Sequence, residues 1–456
     1  MKKIILLIIG LLIVGVASMP LIVKKKVTAM IDIEKKSLIK SGVELTITKE
    51  EGYISSKREF DLTIVDGKKF RDFIFNSFSE KNPNYKGLTE LLKKQSDKDI
   101  RPALDGTLFK GNIKNSNLLL NAPLIELSLS KFSDEIMSSF NGHRDAEQLV
   151  NSILDEKLFT FFITLDSKQK ISQIIMKDID KDINENGKTT NVKLKNHKLD
   201  INIQESLKGV YTLGEQSIST DNFNFEIRGI KYTFDYLTQF DNSGNISIDN
   251  FTFKEGIDFV KIGNIDISSS VKTTENETLR GDINYVVNDF HVNKIETVKL
   301  DSINLKFNIY GLNKNEILDV NNYYSKLAFH QSTISKSNIE SLTKSIEKIL
   351  RRGFKFDTTF SINGLNIKDD IALKNLDFTI NAELKKNSYS LSDMKLINSF
   401  IATGKIIVDK VGANKLLKLN NKLEQFVSLG KEDGNNLLYD YEFKNGALYL
   451  NGTKIK

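Results

Sequence analysis

The chain has 456 residues, of which 40% are apolar and 27% charged, with no Cys and no Trp, the composition of a folded protein rather than a disordered one. The lack of Cys excludes a disulfide scaffold, a thiolate nucleophile and any Cys-ligated zinc or iron–sulfur site. The net charge is +6, but residues 1–40 hold eight Lys against Asp32 and Glu34 and account for all of it; the excess belongs to the flanks of an apolar segment and the rest sums to zero, so nucleic acid is not an expected partner.

The first element is an uncharged run, Ile4 to Val23, flanked by Lys2 and Lys3 and by Lys24, Lys25 and Lys26. Its length suits an α-helix crossing a ~30 Å hydrocarbon core, with Ile4, Leu7, Leu11, Val14, Leu21 and Val23 as lipid-facing anchor residues. A cleaved signal peptide is the competing reading, since small Ala17 and Ser18 follow the apolar stretch. Against cleavage, Leu21–Val23 stay apolar beyond Pro20, and three Lys would open the mature chain. Lysines on both flanks give the positive-inside rule little asymmetry. With no second apolar run of this length, the expectation is residues 1–26 as a single-pass anchor and residues 27–456 as one β-rich extracytoplasmic domain.

Beyond the anchor the hydrophobic period becomes two. Val43, Leu45 and Ile47 alternate with polar residues, as do Phe60, Leu62 and Ile64, the pattern of half-buried strands. Asp66-Gly67, Asp105-Gly106, Asn186-Gly187, Ser243-Gly244, Asn363-Gly364 and Asn445-Gly446 read as turns between such runs. An Asn-apolar-polar-apolar phrase recurs at Asn222, Asn250, Asn264, Asn304 and Asn375, at unequal intervals, and reads as Asn opening a strand. Helical spacing predicts short helices near Lys69–Ser79, Asp134–Glu156 and Gly412–Leu429. It also predicts a helical hairpin, with one stripe through Ile317, Val320, Tyr324 and Leu327 and another through Ile339, Leu342, Ile346 and Leu350. Gly353 after Arg351-Arg352 would stop the second helix. The predicted class is therefore α+β: an N-terminal transmembrane helix, then a large, elongated, mainly antiparallel sheet with a few packed helices.

Several phrases taken together resemble the YdgA-like family, bacterial envelope proteins of unknown function. They are the Lys-flanked apolar start, Gly52-Tyr53-Ile54-Ser55-Ser56 before Phe60–Ile64, Gly281–Tyr285 before Leu300–Ile309, and the closing Tyr441–Gly452 hairpin. The His-Gly-Pro phrase often found after that family's first strands has no counterpart between Asp66 and Lys110. The resemblance implies an inner-membrane anchor and a periplasmic body, and it supplies no catalytic residue.

Motifs for chemistry are sparse. Asp182, Asn184, Asn186 and Gly187 match four positions of a calcium loop, but the bidentate Glu such a loop needs is Lys193, which favours an acidic hairpin end over a metal site. His143, His197, His291 and His330 are too scattered for a helical metal pair. No nucleophile elbow, phosphate loop or dinucleotide fingerprint occurs. No cofactor, metal or catalytic residue is therefore assigned. The 28 Phe allow a groove on the apolar sheet face for acyl chains, against the alternative that helices cover the face as an ordinary core. The expected function is non-catalytic binding or scaffolding in the envelope, with lipid or an envelope protein as partner. The alternative is an envelope hydrolase with a site assembled from scattered residues.

Overall fold

The computed structural model describes residues 29, 32, 35–52, 55–81, 103–116, 123–139, 144–166, 170–185, 187–203, 206–238, 240–294, 297–320, 336–367, 371–419 and 427–455. They group into two compact units, one drawn from 1–185 with 194–204, the other from 186–193 with 205–456.

In the first unit, β1 (Val43–Glu51) and β2 (Ser55–Ile64) precede α1 (Gly67–Lys81). After β3 (Leu108–Ser116) and β4 (Leu124–Lys131) come two short helices, α2 (Asp134–Ser139) and α3 (Arg144–Asp155). Strands β5 (Thr160–Leu165), β6 (Ile171–Met176), β7 (Ile179–Glu185), β8 (Lys188–Lys195) and β9 (Lys198–Ile203) follow, β8 lying mostly in the second unit. An antiparallel ladder runs β1–β2–β3–β4–β5–β6–β9. The alternating residues of β1 and β2 meet as the pattern requires, with Val43 opposite Ile64, Leu45 opposite Leu62 and Ile47 opposite Phe60. Asp66-Gly67 is not a hairpin turn. Asp66 caps α1, its carboxylate accepting the Lys69 N–H at 3.0 Å, because the orphan amides of a helix start need an acceptor.

The second unit opens with β10 (Leu207–Ser219), β11 (Phe223–Thr238), β12 (Asp241–Ile248), β13 (Asn250–Glu255), β14 (Asp258–Ile262) and β15 (Asn264–Thr273). The long β16 (Thr278–Asn293) and β17 (Thr297–Asn313) lead to a helix over 314–320 and then α4 (Lys336–Arg352). Next are β18 (Phe354–Ile367), β19 (Ile371–Leu384), a 3-10 helix (Met394–Ser399), β20 (Phe400–Asp409) and α5 (Lys410–Leu419). The described chain closes with β21 (Lys431–Asp433), β22 (Asn436–Lys444), β23 (Ala447–Leu450) and β24 (Thr453–Lys454). One antiparallel ladder connects β10–β11–β12–β15–β16–β17–β18–β19–β20–β22–β23–β24. The β13–β14 hairpin continues it between the far ends of β11 and β16.

A crease crosses this ladder. Gly229 faces Asp249, Gly263 faces Asp289, and Asp301 faces Gly364, each pair at a break in the residue-by-residue register. Gly229 and Gly364 have φ of +65° and +66°, a left-handed conformation that only Gly adopts without strain, and a Cβ on either would overlap the facing Asp carboxylate. Asn363-Gly364 is thus a strand bulge and not a turn, and Ser243-Gly244 also lies inside a strand, β12. Beside the crease, Asn264, Asn288, Ser302, Asn363 and Asn375 stand opposite one another on five successive strands. Asn288 Nδ2 donates to Asn264 Oδ1 at 3.1 Å, and Asn363 Nδ2 to Ser302 Oγ at 3.0 Å. Of the recurrent Asn phrases, Asn250 and Asn264 open strands, Asn222 precedes one, and Asn304 and Asn375 lie within strands.

The core cluster of this unit sits at its C-terminal end, where Leu373, Val408, Leu437, Tyr439 and Leu450 pack with Ala413 of α5. Asp409 caps α5. Its carboxylate accepts the Gly412 N–H at 2.7 Å and the Lys374 N–H at 2.6 Å, tying the helix to β19. Gly353, at φ +79°, ends α4 by donating its N–H to the Ile349 carbonyl at 3.2 Å. In the closing hairpin Tyr441 stands opposite Leu450 and Phe443 opposite Leu448, around an Asn445-Gly446 turn with both φ positive.

The α+β class headed by a transmembrane helix needs correction. The described structure is mostly antiparallel sheet, 63% strand against 20% helix. No described helix is long and apolar enough to cross a membrane: α4, the longest, has 17 residues and carries Lys, Glu and Arg along its length. The proposed anchor residues Ile4, Leu7, Leu11, Val14, Leu21 and Val23 lie outside the described residues, as does the hairpin's expected stripe from Tyr324 to Leu327. The period-two alternation dominates because long strands repeat from Val43 to Leu450, while the helices between them are brief and amphipathic.

Gly364→Ala should lower stability by about 1–3 kcal/mol, the usual cost of a residue held in a disfavoured backbone region. Urea denaturation of the variant against the parent measures it. An unchanged midpoint would mean that the crease relaxes at no cost.

Candidate functional site

Alternation gives the second unit one apolar face. Ile246 stands opposite Ile267, Ile267 opposite Tyr285, Tyr285 opposite Leu305, Leu305 opposite Phe360 and Phe360 opposite Phe378, a row across six strands. Part of the face is not sealed: Tyr232 is 37% exposed, Ile283 36% and Tyr285 40%.

Farther along, aromatic rings carry the face. Phe307 stacks on Phe356 at 5.9 Å between centroids, Phe356 meets Phe400 at 6.4 Å, and Phe400 meets Phe443 at 5.8 Å. The first and last contacts are diagonal ones between paired strands, β17 with β18 and β20 with β22. The middle one passes over β19, which is possible because β19 places the small Ala382 there, opposite Phe356 and Ala402. A second stack uses the same device. Phe378 and Tyr441 lie nearly parallel at 5.7 Å, reaching over β20 at Gly404, where a Cβ would overlap both the Thr379 carbonyl and the Tyr441 ring. The Tyr441 hydroxyl donates to the Thr379 carbonyl at 2.6 Å. Burial pushes the phenol up to about 12, since the phenolate would lose its water.

The ring row ends in an apolar hollow of about 480 Å³, within the ~300–1,000 Å³ range of small-molecule sites. Six apolar side chains line it: Leu350 from the last turn of α4, Phe354 and Leu384 from paired ends of β18 and β19, Leu396 and Ile397 from the 3-10 helix, and Phe400 from the start of β20. The one polar lining residue, Asp393, spends its carboxylate on the Lys395 N–H at 2.9 Å as the cap of the 3-10 helix. The loop between β19 and that helix is fastened to α4. Asn387 Nδ2 donates to the Leu350 carbonyl at 2.9 Å, and Arg351 Nε to the Tyr389 carbonyl at 3.0 Å. The hollow thus has a framework of side-chain hydrogen bonds to backbone carbonyls and walls that offer mainly dispersion contact.

The candidates for chemistry fall elsewhere. His291 sits on β16 with its ring edge-on to Phe259 at 4.7 Å, and its pKa is lowered by burial and then by Lys299 and Lys261 on the flanking strands. His197 follows β8, its pKa lowered by burial against a smaller opposing pull from Asp178. His143 and His330 lie outside the described residues. Asp182 and Asn184 are strand residues of β7, and Asn186 is not described. Among the described residues no cluster of His, Asp or Glu has the makings of a metal site. The sequence foresaw a Phe-rich face but missed the hollow, because its walls come from the ends of five separate elements. The signal available was local: apolar residues clustered at the Gly353 helix stop and at the Leu396-Ile397 turn.

A family model described as a bacterial protein of unknown function (DUF945) matches residues 163–456, which takes in the whole of the second unit. No curated protein and no solved structure matches the chain.

Two outcomes follow from this geometry. Leu384→Ala, at a 6% exposed wall position, should cost about 2–5 kcal/mol, whereas Ile397→Ser, at a half-exposed position, should stay within about 0.5 kcal/mol; equal losses in urea melts would contradict a preformed hollow. Because the folded-state pKa of Tyr441 lies above its unfolded value of ~10, its contribution is complete below pH ~10 and is lost as pH rises through about 12. Tyr441→Phe should therefore flatten the alkaline fall in denaturation midpoint, and an unchanged fall would exclude this phenol as its source.

Proposed function

The chain belongs to a bacterial family of unknown function, DUF945, and we propose that within it this protein is a non-catalytic binding protein of the cell envelope that holds a lipid acyl chain in the apolar hollow of its second unit. The observation that carries this reading is the hollow between α4, the strand ends and the 3-10 helix, continuous with the row Phe400–Phe356–Phe307. Burying a methylene in such a site gains about 0.8 kcal/mol, so a chain of several methylenes suffices for binding without any polar anchor. No nucleophile lines the hollow, and its one carboxylate, Asp393, is engaged in capping the 3-10 helix, which supports a binding role over hydrolysis. The YdgA-like resemblance belongs to the same proposal. So does a location at the inner membrane with the body in the periplasm, which the uncharged Ile4–Val23 run in the sequence supports. Envelope lipid or an envelope protein is the proposed partner, and nucleic acid is not.

The test is mass spectrometry of organic extracts from the full chain, purified without added lipid. A stoichiometric acyl compound is expected, reduced at least about tenfold in Ile397→Asp, where the acyl chain would have to displace water from a carboxylate. A folded protein that extracts empty would sink the lipid reading.

A further inference from the structure

The opposite face of the same sheet carries a second, larger hollow of about 790 Å³ on β11, β12, β15, β16 and β17, lined mostly by polar residues with Phe234, Ile283 and Tyr310 among them. Register aligns its walls in two neighbouring rows. One runs Thr233, Asn245, Ser268, Asn284 and Lys306; the other runs Asp235, Ser243, Ser270, Asp282 and Asn308. With strands about 4.8 Å apart, each row is a track of roughly 19 Å. The charges in it are largely settled within the chain. Arg280 chelates Asp282 at 3.1 Å and lies over the Tyr310 ring, and Lys208 pairs with Asp235 at 2.7 Å. Among the described residues, Thr233, Ser243, Asn245, Ser268, Asn284 and Asn308 give no side-chain hydrogen bond to the rest of the chain. A solvated sheet face ordinarily carries long Lys and Glu side chains; this one presents short hydroxyls and amides at strand spacing, able both to donate and to accept.

We infer that this face binds a neutral polyhydroxylated chain, a glycan, laid across β11, β12, β15, β16 and β17. The two carboxylates of the lining, Asp235 and Asp282, and its two cations, Arg280 and Lys306, sum to zero, so the face offers no net attraction to a polyanion or a polycation. A chain of uncharged hydroxyls and acetamido groups needs no such attraction and satisfies amides and hydroxyls in both directions. The site is independent of the apolar hollow, which lies on the other face.

Isothermal titration of the full chain tests it, with an N-acetylglucosamine tetramer and maltotetraose as neutral probes and a galacturonic acid tetramer as the anionic one. At least one neutral probe should bind with a Kd below ~5 mM. The double variant Asn284→Ala/Asn308→Ala should weaken that binding by about tenfold while its circular dichroism and melting stay those of the parent. Ile397→Asp, on the other face, should leave it unchanged. No heat from either neutral probe at ~5 mM, tighter and salt-sensitive binding of the galacturonate, or undiminished binding by the folded double variant would each overturn the assignment.

Discussion

The second unit depends on strand register. Its long strands pair edge to edge, and because side chains alternate with period two, slipping any one of them by a residue would exchange its apolar and polar faces. The crease is where that constraint is met. On each strand that crosses it, the spacing between consecutive apolar residues lengthens from two to three: Ile227 to Ile230 on β11, Val287 to Phe290 on β16, Leu300 to Ile303 on β17, Ile362 to Leu365 on β18 and Leu373 to Leu376 on β19. A shift on one strand alone would set apolar residues against polar ones. Made on all of them at matching positions, it keeps Phe290 opposite Leu300 and Leu365 opposite Leu373 beyond the crease, as Tyr285 is opposite Leu305 before it. The left-handed glycines and the Gly–Asp contacts hold the irregularity in place, and the Asn–Ser–Asn ladder beside it adds hydrogen bonds that only the correct register can form.

Given fixed faces, small residues decide what the large ones can do. Phe356 and Phe400 would be separated by β19 were Ala382 any larger, and Tyr441 reaches the Thr379 carbonyl only because position 404 lacks a Cβ. The aromatic surface is thus written as much by Ala and Gly as by Phe. Its edge becomes a hollow because α4 and the 3-10 helix stand at the strand ends and contribute Leu350, Leu396 and Ile397 as walls.

Much of this was legible in the residues and some was not, for identifiable reasons. The pairing of Val43–Ile47 with Phe60–Ile64, the Gly353 helix stop and the closing Tyr441–Gly452 hairpin depend on nearest neighbours and local turn chemistry, which a sequence displays. Asp66-Gly67 and Asn363-Gly364 misled because Asp and Gly serve helix caps and bulges as well as turns, and only the surrounding amides distinguish these uses. The three-residue apolar spacings were visible, yet they acquire meaning only when neighbouring strands are known to carry the same shift at the same level. The hollow was out of reach, since Leu350, Leu384 and Phe400 are brought together by strand ends that no spacing rule connects.

Alternation also means that the two faces are open to separate change. Lys306 and Phe307 are consecutive residues of β17, one lining the polar track and the other beginning the ring row. A substitution at either position alters one surface and leaves the other's side chains in place, provided the backbone pairing between them survives. That pairing is set by the crease and by the Asn ladder, which belong to neither hollow. A sheet built this way can therefore hold chemically opposite surfaces on one set of strands, each tuned without cost to the other, with the demand for register concentrated in a few glycines, aspartates and asparagines. Those residues are the ones whose identity the fold constrains most tightly, and the side chains of the two hollows are the ones that function is free to choose.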